Sequence, residues 1–396
     1  MKKKRHEIII CGSGMVGMTF ALLLAKKKIN VCLIDKNTSK NLSENSDSRT
    51  TAISQGSSRI YKEIGLWEKF SEEAEPILKI LVGEGVNKDD LVFDNEEVRE
   101  GPLGFIIDNN FFKKNLFEEV KKSKFITFND NTEIIDVHNE DPDSSYISTN
   151  NGDIGFKLLV AADGRFSKTR FHANLKYRFH DYKQNAYVFN ISHQHSHDGI
   201  ALERFFPTGP LALLPMKSDN SKSSSVVWTV DAKYSEKESF EASFREEFNE
   251  RYQNFFGKIN NFSRAQKYPL NIFSCYEFFN KNVVLIGDAC QAIHPIAGQG
   301  FNLGLRDARC LSELIFEFKE IGIEPFDKTL LKLYKKKRYV DKTILTESTH
   351  NLNKLFSNSN KANGFIRRLG IKLFSKSNLL KNQSMIFAMG LRNLEI

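Results

Sequence analysis

The chain has 396 residues, 40% hydrophobic and 27% charged, which gives room for two domains or one large elaborated one and excludes general disorder. Its formal charge of +8 is uneven: residues 331–396 hold 14 Lys or Arg against 3 Asp or Glu, so the remainder is mildly acidic. The five cysteines (Cys11, Cys32, Cys275, Cys290, Cys310) form no CxxC pair, the usage of a reducing compartment, and no motif supports a nucleic-acid partner.

Residues 8–25 are an uncharged run of 18 between charged flanks, which imitates a membrane anchor. The glycines inside it favour another reading: a strand over 6–11, a tight turn, and a helix to about Ala25. No cleavage site of signal type follows, and a cytoplasmic chain is expected. In C-G-S-G-M-V-G, Gly12 permits the turn, Gly14 lets backbone approach a pyrophosphate, and Gly17 lets the helix pack closely on the strand. Phosphates would sit on the helix N-terminus, where free N–H groups and the dipole favour anions. A second strand over 29–34 ends at Asp35, 23 positions after Gly12, where a carboxylate can accept hydrogen bonds from a ribose. The pattern points to a dinucleotide without separating NAD from FAD.

Further along, L-L-V-A-A-D-G-R-F-S-K-T-R (158–170) is an apolar strand that delivers Asp163 to a basic turn. Residues 176–267 show strand patterning in A-Y-V-F-N-I-S, L-A-L-L-P-M and S-S-V-V-W-T-V, the last two flanking a polar turn of hairpin type. A sheet covering a cofactor and forming a substrate pocket fits. In H-Q-H-S-H, His193, His195 and His197 share a face of a regular strand, but the outer two would stand about 13 Å apart. That is too far to share one ion, so no metal is expected.

Residues 282–307 read N-V-V-L-I-G-D-A-C-Q-A-I-H-P-I-A-G-Q-G-F-N-L-G-L-R-D. A strand over 283–286 carries Asp288 to its carboxyl end, where ligands bind in open α/β sheets and where a polyol such as the ribityl chain of FAD would find an acceptor. A helix opens at about 301–311, its N-terminus suited to the negative charge of a reduced isoalloxazine. Gly298 and Gly300 leave room for a flat ring. In isolation an ordinary glycine-rich loop would look the same. His294, beside Pro295, either touches substrate or caps the turn.

Together these motifs resemble the class A FAD-dependent monooxygenases, and within them the ubiquinone-biosynthesis hydroxylase family (UbiH-type). S-D-S-R-T-T-A-I-S-Q-G-S-S-R (46–59), E-R-F-F-P-T-G-P-L-A-L-L-P-M (203–216) and F-A-M-G-L (387–391) extend the likeness over almost the whole chain. The resemblance implies FAD contacts at Gly12, Gly14, Val16, Gly17, Asp35, Arg49, Asn109, Asp163, Asp288, Gly298 and Asn302, the Asp163 motif serving FAD and NAD(P)H together. Two departures stand out. Ala289-Cys290-Gln291 replaces the A-A-H that commonly follows G-D, and Asp35 replaces a frequent Glu and reaches one methylene less.

The implied fold is α/β: a Rossmann-like FAD-binding domain over 1–73, 102–175 and 268–330, and an inserted, mostly antiparallel β-sheet substrate domain over 74–101 and 176–267. A basic helical region over 331–396 follows. The implied reaction hydroxylates the aromatic ring of a polyprenylated phenol in ubiquinone biosynthesis through a flavin hydroperoxide. Dioxygen is consumed, and electrons come from NAD(P)H or a separate reductase. The cofactor carries the hard chemistry, and the one catalytic side chain expected is His294. Two alternatives stay open: a flavin hydroxylase of a small soluble phenol, and a non-catalytic subunit of a quinone-synthesis complex, which would have no use for intact Gly12, Gly14, Asp288 and Gly298. Residues 355–376 alternate apolar and basic side chains at roughly helical spacing. They read either as a surface helix on the inner face of an anionic membrane or on other ubiquinone-biosynthesis proteins, or as a helix packed on the FAD domain with a solvated basic face.

Overall fold

The apolar run that imitates a membrane anchor divides at its glycines. Ile8, Ile9 and Ile10 are the fully buried part of the strand Lys4–Cys11, and the helix Met15–Lys26 buries Phe20, Leu23 and Leu24. The computed structural model describes residues 4–44, 47, 49–86, 91–236, 238–356 and 377–391. Five parallel strands lie in the spatial order Val283–Leu285, Gly152–Ala161, Lys4–Cys11, Val31–Ile34 and Ile126–Asn129. A short antiparallel strand, Phe279–Asn280, closes one edge, and the pair Ile134–His138 and Tyr146–Thr149 extends the sheet antiparallel to Gly152–Ala161. All-apolar interior strands such as V-C-L-I suit a parallel sheet covered on both faces.

Register decides what this sheet presents. Cys11 pairs with Ala161, and Ala161 pairs with Leu285. Three carboxyl ends are therefore level, and Gly12, Asp163 and Asp288 leave the sheet side by side.

The second sheet has nine strands. From one edge they run Gln291–Ala292, Gln266–Cys275, Tyr177–His193, Ser223–Asp231, Gly209–Met216, Ile200–Phe206, Lys79–Glu84 and Leu91–Asp94, and Ile259–Phe262 also joins Tyr177–His193. Only the pairing of Ile200–Phe206 with Lys79–Glu84 is parallel. The division expected at residue 268 falls inside a strand: Gln266–Cys275 pairs with Tyr177–His193 as far as Cys275, so this segment belongs to the nine-stranded sheet. A strand pairs along its whole backbone, and the turn that ends this one comes only after Cys275.

One face of the sheet packs under the helix Glu238–Phe256, with Phe189, Trp228, Phe248 and Tyr252 in a shared core. Side chains alternate along Ile200–Phe206: Leu202 and Phe206 join that core, whereas Phe205 packs with Val82 and Ile296 on the opposite face. Glu203 shares the face of Phe205. A small third sheet (Thr50–Ser54, Gly104–Asp108, Glu75–Ile77) lies beside the two large ones.

The helix expected at about 301–311 is twice that length, Gln299–Glu320, and packs on Met15–Lys26. The helix Lys328–Phe356 packs on it in turn. Part of the basic C-terminal charge is internal. Asp307, wholly buried, accepts from Arg338 Nε at 2.7 Å and the Gly287 amide at 3.0 Å, and lies 2.8 Å from Lys342 Nζ. Asp341 continues the network to Arg338 and Arg306, each at 2.7 Å. The helix Asn378–Ala388 then leads to the tail of F-A-M-G-L, where the Gly56 amide donates to Met389 O at 2.7 Å. A Cβ on Gly56 would stand 2.3 Å from Gly390 O, so only glycine admits this docking. The stretch 357–376, most of the alternating basic segment, lies outside the described residues.

Removing Asp307 strands the buried Lys342 and leaves Arg338 with Asp341 alone, so Asp307→Ala is expected to lower stability by about 3–5 kcal/mol. Urea unfolding checks this, and a loss under about 1 kcal/mol would contradict the network's role.

Candidate functional site

The glycine turn is built from close approaches. Gly12 has φ +103°, and a Cβ there would lie 2.5 Å from Ala162 O. A Cβ on Gly17 would lie 2.0 Å from Gly12 O. Both glycines let strand and helix meet. Gly14 differs: it caps Met15–Lys26 in an extended conformation, and nothing stands within 4 Å of where its Cβ would be. The helix N-terminus behind it has no side-chain cap, which leaves its amides available to an anion. Val16 fills the space beside Gly287 and Gly304, where a Cβ would come within 3.2 and 2.9 Å of it. It thereby fixes the distance between the first turn and the Asp288 loop.

Asp35 stands at the end of its strand, but its acceptor capacity is in use. Oδ2 accepts from the Ser13 amide at 2.6 Å and hydroxyl at 2.7 Å, and Oδ1 accepts from the amide and side chain of Asn37 at 2.8 and 2.9 Å. A carboxylate offers about four such positions. A ribose hydroxyl would have to share them with Ser13, the consequence of a side chain one methylene short of Glu.

Arg49 and Asn109 are joined through Asp47, which sequence reasoning missed. Arg49 forms a bidentate pair with Asp47 at 2.7 and 2.8 Å, Asn109 Nδ2 donates to it at 3.1 Å, and Lys113 Nζ lies at 2.6 Å. Burial would push Asp47 up, but the Arg49 and Lys113 hydrogen bonds outweigh it and hold the carboxyl well below its usual range. Arg49 also lies over the Tyr268 ring, 5.2 Å from its centroid.

Asp163 accepts from Ser167 Oγ and from Thr169 N and Oγ1, which ties the turn to the short helix Lys168–His172. Asp288 has no hydrogen bond or ion pair among the described residues. Its carboxylate is open to solvent, yet the protein walls around it are close enough that desolvation raises its pKa, opposed by Arg165 and Arg49. That is the condition of a carboxylate at the floor of a cleft. Gly298 takes the left-handed conformation (φ +59°) as N-cap of Gln299–Glu320, and Gly300 meets only the Ile293 side chain, at 3.8 Å. Asn302 is buried and structural: Oδ1 accepts from the Ser54 amide at 2.8 Å, and Nδ2 donates to Ala52 O at 2.9 Å and Gly298 O at 3.2 Å. Both its polar groups hold backbone in place.

His294 is buried, its ring 5.0 Å from that of Tyr182. Nε2 pairs with Gln184 Oε1 at 3.3 Å, while Nδ1 has no hydrogen-bond partner among the described residues. Desolvation, with His350 adding to it, pushes the ring down to about 3, so His294 is neutral at physiological pH. It shares a small pocket with Glu203, Pro210, Thr229, Pro295 and Ile296. Glu203 was not singled out from the sequence, although an acid at an inward position of an apolar strand was the signal. It has no hydrogen bond or ion pair among the described residues, and burial pushes its carboxyl up to about 8.

The histidine trio departs from regular-strand spacing. The strand ends at His193 and the chain turns back, so the His193 and His197 rings are 6.2 Å apart rather than about 13 Å. His193 bonds His195 O and Ser224 Oγ, and His197 bonds Met216 O and the Gly199 amide. All four ring nitrogens are used within the protein.

The donor set suits FAD: an uncapped helix N-terminus above a bare glycine, an unpartnered carboxylate in a cleft, and a second helix headed by a left-handed glycine. Residues 5–340 match the family model described as FAD binding domain. The chain is 31% identical over 399 residues to the ubiquinone hydroxylase UbiL of Rhodospirillum rubrum, with 98% of this chain and 90% of that protein covered. It is 27% identical to the 3-demethoxyubiquinol 3-hydroxylase of Escherichia coli, with 99% and 100% covered. Its fold matches the crystal structure of the p-nitrophenol 4-monooxygenase PnpA from Pseudomonas putida, with a TM-score of 0.81, 18% identity, and 99% and 100% of the two chains covered.

Two glycine variants separate binding from folding. Gly14→Ala puts its Cβ into open space and is expected to keep stability within about 1 kcal/mol while FAD retention falls. Gly17→Ala is expected to lose about 1–3 kcal/mol before any cofactor is added. Equal effects of the two on apoprotein unfolding would overturn this division.

Glu203 gives a signed pH dependence. Its folded pKa lies above its ordinary 4.5, so the stability it contributes is complete below about 4.5 and is lost as pH rises through about 8. Glu203→Gln should therefore gain stability over the parent between those values and level off above, by up to roughly 5 kcal/mol. Urea midpoints across that range test it, and a constant difference would show that the carboxyl is not desolvated.

Proposed function

This chain belongs to the FAD binding domain family and to the FAD-dependent monooxygenases within it, and we propose that it hydroxylates the aromatic ring of a polyprenylated phenol, a quinone precursor in ubiquinone biosynthesis. Bound FAD would supply the redox chemistry, with NAD(P)H as the hydride source and dioxygen as the oxygen source. The chain's own residues bind, orient and exclude water.

One observation carries this reading: a single loop serves two neighbours. At Gly287 it touches Val16 of the glycine turn, and at Pro295 and Ile296 it faces the inner side of the nine-stranded sheet. The glycine turn and a narrow pocket under the sheet, about 10 Å³ in this structure, are thus adjacent, and the substrate ring would enter by widening that pocket. The helix N-terminus behind Gly14 would hold the FAD pyrophosphate, with Gly12, Val16 and Gly17 shaping the turn and Asp35 available to the ribose beside Ser13. Asp288 would accept from the polyol chain. Arg49, Asn109 and Asp163 flank the cleft, Gly298 and Gly300 leave backbone bare for the flat ring, and Asn302 acts at one remove by holding Gly298 against the Thr50–Ser54 strand. The N-terminus of Gln299–Glu320 supports negative charge on the ring.

Apolar pocket walls keep water from the reacting centre. An isoprenoid tail would bring the chain to a membrane surface; among the described residues no helix is long and apolar enough to cross a membrane.

The test supplies FAD, NADH or NADPH, and 2-geranylphenol. Anaerobically, the flavin's visible absorbance should bleach faster with the phenol present, and in labelled dioxygen the product should carry one labelled oxygen atom. Failure to hold FAD after reconstitution, or a product without the label, would sink the reading.

A further inference from the structure

We propose that Glu203 is the catalytic base that takes the proton of the substrate's ring hydroxyl, acting from the sheet face opposite Pro295. The inference rests on the reading of the chain as a ring hydroxylase. The geometry comes first. Glu203 lies in register with Ala212 on one neighbouring strand and Val82 on the other, and its side chain lines the pocket that Pro295 and Ile296 close from the cofactor loop. That space of about 10 Å³ takes one water, through which the hydroxyl proton reaches the carboxylate. The rest of the wall is Pro210, Ala212, Val227 and Thr229, so among the described residues Glu203 and His294 are its only ionisable groups.

A buried carboxyl with no hydrogen bond or ion pair is costly, and an apolar side chain would fill an inward strand position more stably. Such a group persists where chemistry uses it. Of the two ionisable groups, His294 is pushed down to about 3 and is a poor proton acceptor, whereas Glu203 is pushed up to about 8. A phenol ionises near 10, so an ordinary glutamate would be mismatched by about six units and Glu203 by about two. The step is a balanced proton transfer. The phenol O–H bond breaks, the Glu203 carboxylate gains the proton, and the ring is left as a phenolate, more electron-rich toward an incoming electrophilic oxygen. The proton returns to solvent when product leaves.

The charges around Glu203 are few. His294 faces it from the loop. Arg204, the next residue, points behind the sheet to Phe255, and Tyr252 lies on that far side too. Glu84 is level with Phe205 on the adjoining strand.

The experiment compares the FAD-loaded parent, Glu203→Gln and Glu203→Asp with 2-geranylphenol from pH 6 to 9.5, recording flavin content, NAD(P)H-driven bleaching, and product formed per NAD(P)H oxidised. In the parent, product formation should rise with pH through a midpoint near 8, as the base form appears. Glu203→Gln should bind and reduce flavin normally, lose on the order of 100-fold in product formation, and show no midpoint. Glu203→Asp should restore part of the rate together with a midpoint. Glu203→Gln that matches the parent in yield and profile overturns the proposal while leaving the hydroxylase reading intact. A parent that forms no product sinks both. A variant whose bleaching and yield fall together with the midpoint unchanged marks a packing role and also overturns it.

Discussion

The buried carboxylate of Asp307 is the constraint on which the rest of the site depends. It accepts the Gly287 amide, so it holds the loop that carries Asp288, and it neutralises Arg338 and Lys342 on the following helix. Three elements meet at one side chain: the end of the Val283–Leu285 strand, the helix Gln299–Glu320 and the helix Lys328–Phe356. Charges this deep are costly unless paired and hydrogen-bonded, so they specify one arrangement more than they add net stability. Part of the excess basic charge at the C-terminal end is therefore an internal brace.

The cleft and the pocket differ in electrostatic character because they lie on opposite sides of that braced loop. On the cleft side, Arg49 and Arg165 oppose the desolvation of Asp288, so anionic and polar groups meet in a partly open setting. On the pocket side, among the described residues, no cation lines the wall. Glu203 and His294 face apolar walls, and burial drives both toward their neutral forms, the carboxyl upward and the imidazole downward. The proposed pairing of a charged dinucleotide with an apolar phenol would need these two environments a few residues apart.

Local motifs were legible in proportion to how local their physics is. The spacing of Gly12, Gly14 and Gly17 was readable because each answers to a close approach or an open space along one turn of chain. Asp288 was readable as the residue ending a buried strand. Asp35 and Asn302 were identified as motif members, but their bonding was not foreseeable: Ser13 and Asn37 occupy the first, and the backbone at Ala52, Ser54 and Gly298 occupies the second. The residues from Gln266 to Cys275 read equally well as the start of the nucleotide domain, and only their pairing partner assigns them to the sheet. In the His193–His197 segment, alternation suggested a longer strand, and a turn that brings the two rings together replaced it.

By itself, then, the order of residues determined the α/β character, the dinucleotide turn and the acids at strand ends, because strand burial, helix dipoles and glycine's freedom act within a few residues of each other. Tertiary structure alone decided which groups would be left without partners. Glu203 and Asp288 are about 85 positions apart and look like two ordinary acids in the chain. Only the packing of two sheets around one loop places the first in a narrow buried pocket and the second at the floor of a cleft, since desolvation and the absence of a hydrogen-bond donor are properties of neighbours that are distant in sequence.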